Sequence, residues 1–260
     1  VLFALAKPGD KIATPELASG AHISTAPFGA VGLRGLNPVH YPWDYKNWNL
    51  DVDATRKFLV REKPKVAQFG LSVFLFPTPI REIQDALQEA GSAVWYDAAH
   101  VLGLIAGGKF QDPLREGVQI ISASTHKTFP GPNHGIIVAD KVDDDVQAKL
   151  QKAAFPGVTS SHHLHAMAAL AVTMAEFEIY GKQYAGQVIK NAKALGSALY
   201  EMGIDVMCPH LGFTESHTLA ISVAKHGGGA QCALDLEKAN IITNKNMLPG
   251  DTSSVKPSGL

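Results

Sequence analysis

Residues 93–128 read AVWYDAAHVLGLIAGGKFQDPLREGVQIISASTHKT, and this stretch decides the fold. Two short apolar runs, Ala93-Val94-Trp95-Tyr96 and Val118-Gln119-Ile120-Ile121, each end in a polar segment. The first ends in Asp97-Ala98-Ala99-His100 and the second leads to Ser124-Thr125-His126-Lys127-Thr128. Near-continuous apolar runs of this length suit sheet strands buried on both faces. The alternation of strand and helix continues outward. Residues 11–14 and 66–72 read as strands. Asp51 can cap a helix running to about residue 62, because its carboxylate satisfies free backbone N–H groups. Pro79 is placed to open a helix with Ile80, Ile83, Leu87 and Ala90 on one face and Gly91 as its stop. Further strands are expected at 118–123 and 135–139, and residues 162–202 read as helix with a break near Gly181. The pattern predicts an α/β fold, a mostly parallel sheet with helices on both faces. Ligands of such sheets sit outside the carboxyl ends of the strands, where Asp97, His100 and Lys127 fall.

After Gly203 the pattern changes. Strands at 204–208, 219–223 and 241–244 and a helix at 229–239 predict a smaller α+β unit, with Gly227-Gly228-Gly229 as a turn. The expected division is therefore 1–203 and 204–260. At 260 residues with 46% hydrophobic and 18% charged residues, the chain can bury a sizeable core. A formal net charge of −1 gives no field to attract nucleic acid or an anionic membrane. The apolar stretches are strand-length, so no membrane-spanning helix is expected. The opening VLFALAKPGD lacks the basic segment of a secretory signal. Only two cysteines occur, Cys208 and Cys232, which predicts reduced, packing thiols and a cytoplasmic location. Residue 1 falls inside an apolar helical pattern and KPSGL closes no element. The expectation is a central piece of a longer protein.

A carboxylate and a lysine at neighbouring strand ends fit pyridoxal 5'-phosphate chemistry. The lysine forms a Schiff base with the cofactor aldehyde, and the carboxylate pairs with the pyridinium nitrogen and keeps the ring an electron sink. Other readings of the same residues stay open at this level. Asp97 could be a helix N-cap, and Lys127 a solvated lysine. Ser124 and Lys127 fit the S-x-x-K pattern of acyl-transfer enzymes, though no S-D-N or K-T-G partner is present. Asp97, His100 and His126, with His162, His163 and His165, carry metal-donor atoms, but the last three do not share one helix face. No metal is expected. A non-catalytic piece that only packs against a partner is the remaining alternative.

Gly20-Ala21-His22, Ser72, Asp97-Ala98-Ala99-His100, Thr125-His126-Lys127-Thr128 and Ile242-Thr243-Asn244-Lys245-Asn246 occur in that order. This series, and above all residues 96–132, resembles the serine hydroxymethyltransferase family of fold-type I pyridoxal phosphate enzymes, over essentially the whole chain. The resemblance implies the aminotransferase-like fold and reversible aldol cleavage of serine to glycine, with a one-carbon unit passed to tetrahydrofolate as cosubstrate. It implies Lys127 as the Schiff-base lysine and Asp97 as the ring-nitrogen partner. Ala99 would pack on one ring face and His22 on the other. His100 and Ser72 would lie near the cofactor's phenolic oxygen, and His100 also near the substrate carboxylate. Thr125 and His126 would flank and orient the lysine, and Leu17 and Asn246 would contact folate. It also implies an amino-acid substrate and a homodimer with each site built across two chains.

Several positions depart from the family pattern. Gly-Pro-Arg-Gly-Gly is replaced by Gly131-Pro132-Asn133-His134-Gly135, and a glycine-rich loop by Val158-Thr159-Ser160-Ser161-His162-His163. Gly20-Ala21-His22-Ile23-Ser24-Thr25 lacks a second histidine, and Phe74 stands where a tyrosine is usual. These changes bear on folate more than on the cofactor, and leave a folate-independent threonine aldolase or transaldolase as the alternative. The family's phosphate-binding Ser-Gly-Ser loop, catalytic glutamate and stacking tyrosine would precede Val1, and its carboxylate-binding arginine would follow Leu260. The isolated chain is therefore expected not to complete a catalytic cycle.

Overall fold

Apolar side chains alternate between two faces along the central strands, and each face has its own cover. The computed structural model describes residues 1–260. Six strands form the main sheet: β1 (Lys11–Thr14), β2 (Asn37–His40), β3 (Val66–Phe69), β4 (Ala93–Asp97), β5 (Ile120–Ser124) and β6 (Gly135–Ala139). Their spatial order is β2-β1-β3-β4-β5-β6. The first five run parallel, with Trp95 opposite Ile120 and Asp97 opposite Ser122, and β6 runs antiparallel to β5. One face buries Ala13, Phe69, Tyr96 and Ile121 under Phe58 and Leu59 of helix α1 (Val52–Glu62), Leu87 of α2 (Gln84–Ala90) and Leu104 of α3 (Leu102–Ala106). The other buries Ile12, Val66, Trp95 and Ile120 against Leu150 of α4 (Asp144–Lys152) and the chain's opening residues. Each fully buried large apolar side chain contributes roughly 1.5–3 kcal/mol, so covering both faces is what makes the expected doubly covered sheet stable.

Local signals act as their chemistry requires. The Asp51 carboxylate accepts the Ala54 N–H at 2.9 Å and caps α1. Gly91 ends α2 with φ of +66°, a left-handed conformation that favours glycine. Helix does not begin at Pro79, however. A tight turn, Arg81–Ile83, comes first and regular helix starts at Gln84. The expected strand at 118–123 is Ile120–Ser124, and that at 66–72 ends at Phe69. Strand β6 is apolar but not doubly buried, because it is the sheet edge and Ile137 is 42% exposed.

The long helix α5 (Leu164–Glu201) runs without a break at Gly181. That glycine is there for packing. A Cβ on Gly107, at the end of α3, would lie 2.5 Å from the Gly181 carbonyl and 2.6 Å from the Ala185 Cβ. Small residues on both helices therefore set the distance between them.

Beyond α5 the strands are shorter than expected. Only Asp205–Val206 and Ile221–Ser222 pair, antiparallel, followed by helix α6 (Gly229–Lys238). Residues 241–244 form no strand, because nothing lies beside them to complete a ladder and Ile242 is 77% exposed. Pairing begins two residues later, where Asn246 and Gly259 exchange backbone hydrogen bonds of 3.0 and 3.2 Å. This segment shares a core with the loop after β3: Cys208, Ala220 and Leu248 pack with Trp48, Val73, Leu75 and Phe76.

Two glycine substitutions should move stability in opposite directions. Gly107→Ala overfills the α3–α5 contact and is expected to cost about 1–3 kcal/mol. Gly186→Ala, inside α5 with its nearest neighbour 3.6 Å from the new methyl, should gain about 0.5–1 kcal/mol. Urea unfolding of the full-length protein measures both, and equal shifts of one sign would contradict the packing argument.

Candidate active site

Parallel strands that end together leave their following residues around one hollow, and here that hollow is a cavity of about 540 Å³. Its lining includes Gly70 after β3, Asp97, Ala99 and His100 from β4, and Ser122, Ser124 and Lys127 from β5. His22 reaches it from the loop after β1. The strand ends approach closely. Gly70 has φ of +108°, and a Cβ there would sit 2.1 Å from the Asp97 carbonyl oxygen. Only glycine lets the chain leave β3 this close to Asp97.

Lys127 is held by its neighbours. Its Nζ lies 3.0 Å from His100 Nε2. The next residue, Thr128, is buried; its hydroxyl donates to the His100 carbonyl at 2.7 Å and accepts the Gly103 N–H at 3.2 Å. The lysine loop is thus pinned to the segment carrying His100 and to α3 behind it. Thr125 works one layer deeper. It is fully buried, its hydroxyl donates to the Pro132 carbonyl at 2.6 Å, and its N–H donates to the His134 carbonyl at 2.9 Å. Thr125 anchors the loop and does not line the cavity.

Burial sets the protonation states. The Asp97 carboxylate takes a hydrogen bond from the Ala99 N–H at 2.9 Å. Desolvation nevertheless raises its pKa, against the pull of that bond and of the His22 and Lys127 charges. The Lys127 pKa is lowered, again by desolvation, with Asp97 opposing. The lysine therefore gives up its proton more readily than a surface ammonium would. Burial, together with the Lys127 and His217 charges, pushes His100 down to about 3, so its imidazole is neutral. His22 caps the turn that follows it: its Nδ1 accepts the Ser24 N–H at 3.2 Å, which leaves the proton on Nε2.

Not every expected residue gathers here. Lys127, Asp97, Ala99, His100 and His22 share the cavity. His126 is exposed and outside it. Ser72 also lies outside, and its N–H is used by the Gly20 carbonyl at 2.8 Å. Leu17 lines a different cleft of about 320 Å³ with Pro27, Phe28 and Met247, the residue after Asn246. Lys127 is paired with His100 rather than Ser124, which leaves the S-x-x-K reading without its catalytic contact. No three His, Cys, Asp or Glu side chains are grouped as metal ligands. Both cysteines are free.

Reading the residues in order offers no sign of His217. Its ring lies nearly parallel to that of His100, at 21° with centroids 6.1 Å apart. The only local signal is an alternation of Thr214, Ser216 and Thr218 around it, the kind of residues that bond nearby backbone.

The arrangement can hold an aromatic aldehyde bearing a basic ring nitrogen and an anionic arm. It offers a desolvated amine for the aldehyde and a buried carboxylate whose ionised form a cationic partner would favour. Ala99 adds only a methyl group to the lining, and Ser124, His134 and Thr159 bring polar groups to the same cavity. The cavity volume is in the range of small-molecule sites.

Comparison with known proteins narrows this. The family model described as serine hydroxymethyltransferase matches residues 1–260. Proteins named serine hydroxymethyltransferase from Picrophilus torridus, Thermoplasma acidophilum and Thermoplasma volcanium are 57%, 53% and 52% identical, each alignment covering 100% of this chain. They cover 60%, 61% and 61% of those relatives, so the chain spans about three-fifths of the length of the curated relatives it matches.

The buried neutral histidines give a pH signature of folding. His100 and His217, the latter pushed down to about 4 by burial, ordinarily titrate at 6.5. Between pH 6.5 and these lowered values the unfolded chain binds protons that the folded chain refuses, so stability falls as pH falls through that window. The slope for one such group is on the order of 1 kcal/mol per pH unit. Urea unfolding between about pH 7 and about pH 5 should show this loss, and His100→Asn should flatten it. An unchanged slope in the variant would show that His100 is not held neutral.

Proposed function

Because the chain belongs to the serine hydroxymethyltransferase family, we propose that the full-length protein is a cytoplasmic, pyridoxal phosphate-dependent enzyme that cleaves serine to glycine and passes the one-carbon unit to tetrahydrofolate. The observation that carries this reading is the meeting of Lys127, His100 and Asp97 in one cavity at the ends of adjacent parallel strands. Lys127 would hold the cofactor through its aldehyde, Asp97 would pair with its ring nitrogen, and Ala99 and His22 would flank its faces. When bound, the cofactor supplies an electron sink for negative charge at the substrate α-carbon.

The chain's own residues then have definite tasks. Desolvation lowers the Lys127 pKa, which favours the free amine that a nucleophile must present. His100, kept neutral, can accept an N–H from Lys127 at Nε2 and so aim the amine. Thr128 and Thr125 hold the lysine loop still while the proton on Nζ moves. Burial raises the Asp97 pKa, so a positive partner favours its ionised form and the site would favour a protonated ring nitrogen. His22 can offer its Nε2 proton to a ligand in the cavity. For folate, the supporting observation is that Leu17 and Met247 line one cleft, together with Glu16, His40 and Asp251, and that Asn246 adjoins Met247 in sequence. We further propose a homodimer and a division of the chain near residue 203, where α5 has ended and the short 205–222 ladder begins.

The test uses the full-length protein. After incubation with pyridoxal phosphate, borohydride reduction and peptide mapping should find the adduct on Lys127, and Lys127→Ala should carry none. An adduct retained in that variant would overturn the assignment. Asp97→Asn should lower serine cleavage by about 100-fold or more, as losing a preorganised electrostatic partner does. Glycine formation from serine should require tetrahydrofolate. Brisk threonine cleavage without folate, and none of serine with it, would move the reading to an aldolase.

A further inference from the structure

The loop carrying His217 is fastened to the loop after β3 by buried polar bonds. Thr214 donates its hydroxyl to the Leu75 carbonyl at 3.1 Å, the Glu215 N–H donates to the same oxygen at 2.8 Å, and the Ser216 hydroxyl donates to the Phe74 carbonyl. Ser216 in turn accepts the Thr218 N–H at 3.1 Å. Thr214 and Ser216 are fully buried. The residue they present is His217, whose ring lies along that of His100, the only side chain hydrogen-bonded to Lys127 Nζ. The ring has little polar work of its own. Nε2 meets the neighbouring Thr218 hydroxyl at 3.1 Å, and Nδ1 is buried with no partner. A buried nitrogen without a partner costs free energy, so what the site retains is a flat ring rather than a hydrogen-bonding group.

We propose that His217 is a positioning residue: its ring, delivered by the segment beyond α5, backs the His100 imidazole, keeps water from it and holds Nε2 against Lys127. The segment beyond α5 thereby governs the reactivity of a lysine in the loop after β5 without touching it. The groups that face this pair are Lys127 from the loop after β5, Asp97 from β4 and His22 from the loop after β1. The inference rests on the proposed role of Lys127 as the amine of the site, but its test does not require the cofactor.

The experiment follows Lys127 in the full-length protein, freed of any bound pyridoxal phosphate by dialysis against cysteine, by pH-dependent reductive methylation with formaldehyde and cyanoborohydride, read by peptide mass spectrometry. In the parent protein Lys127 should react with a midpoint below that of the surface lysines. His217→Asn admits water to His100 and should move that midpoint up, toward the surface lysines, by about one pH unit, or a tenfold slower reaction at fixed pH. His217→Phe restores a flat ring and should return the midpoint to the parental value. Circular dichroism and the urea midpoint check that each variant folds. A folded His217→Asn with the parental midpoint would overturn the proposal. So would a folded His217→Phe as displaced as His217→Asn, since that would assign the work to a nitrogen. Failure of pyridoxal phosphate to attach to Lys127 in the parent, with the methylation shifts intact, would sink the functional reading and leave this one standing.

Discussion

Asp97 and Lys127 leave neighbouring parallel strands, enter one cavity and are both drawn out of water, and the surrounding residues answer to that desolvation. It raises the carboxyl's pKa and lowers the lysine's, so each is pushed toward its neutral form. Neither group gains a close ion pair in compensation. The lysine's near neighbour is a neutral imidazole, and the carboxylate's hydrogen bond comes from a backbone N–H two residues on. A pair left in this condition is poorly suited to stabilising the fold. It is well suited to meeting a ligand that brings a positive ring nitrogen to one member and an electrophilic carbon to the other.

Holding such a pair apart and unsatisfied requires a rigid support, and glycines with small neighbours provide it at three places. Gly70 lets β3 pass the Asp97 carbonyl. Gly103 lets α3 lie against the Thr128 backbone, where a Cβ would come within 2.1 Å of the carbonyl. Gly107 lets α3 lie against Gly181 and Ala185 of α5. Helix α5 therefore braces α3, α3 braces the lysine loop, and the loop fixes Lys127. Side-chain volume added at any of these points would displace the amine, because packed interiors transmit strain rather than absorb it.

The parts of this that are legible in the residue order are those with local causes. Apolar runs ending in Asp97 and before Lys127 mark strand ends, Asp51 marks a cap and Gly91 a stop, and each is where its chemistry requires. The parallel sheet follows from their alternation. What is not legible depends on distant neighbours. Gly181 reads as a helix break because glycine favours one, yet tertiary packing needs it inside a continuous helix. Residues 241–244 have a strand's composition but no adjacent strand. Gly135–Ala139 is apolar enough for the interior and lies at the edge. Of the site residues, those on the strand ends converge as their positions suggest. His126 does not, because its side chain is left to solvent, and Thr125 is spent on buried bonds to the Pro132 and His134 carbonyls.

His217 lies at the far end of this scale, 90 positions from Lys127 and in a segment whose strands are two residues long. A loop with so little regular structure cannot hold a ring in place by its own ladder. It is held by three bonds to the Phe74 and Leu75 carbonyls, which lie in the loop that follows β3. That same loop opens at Gly70, which lets the chain pass close to Asp97. One connection therefore sets the approach to the buried carboxylate at its start and captures the segment that carries His217 further on.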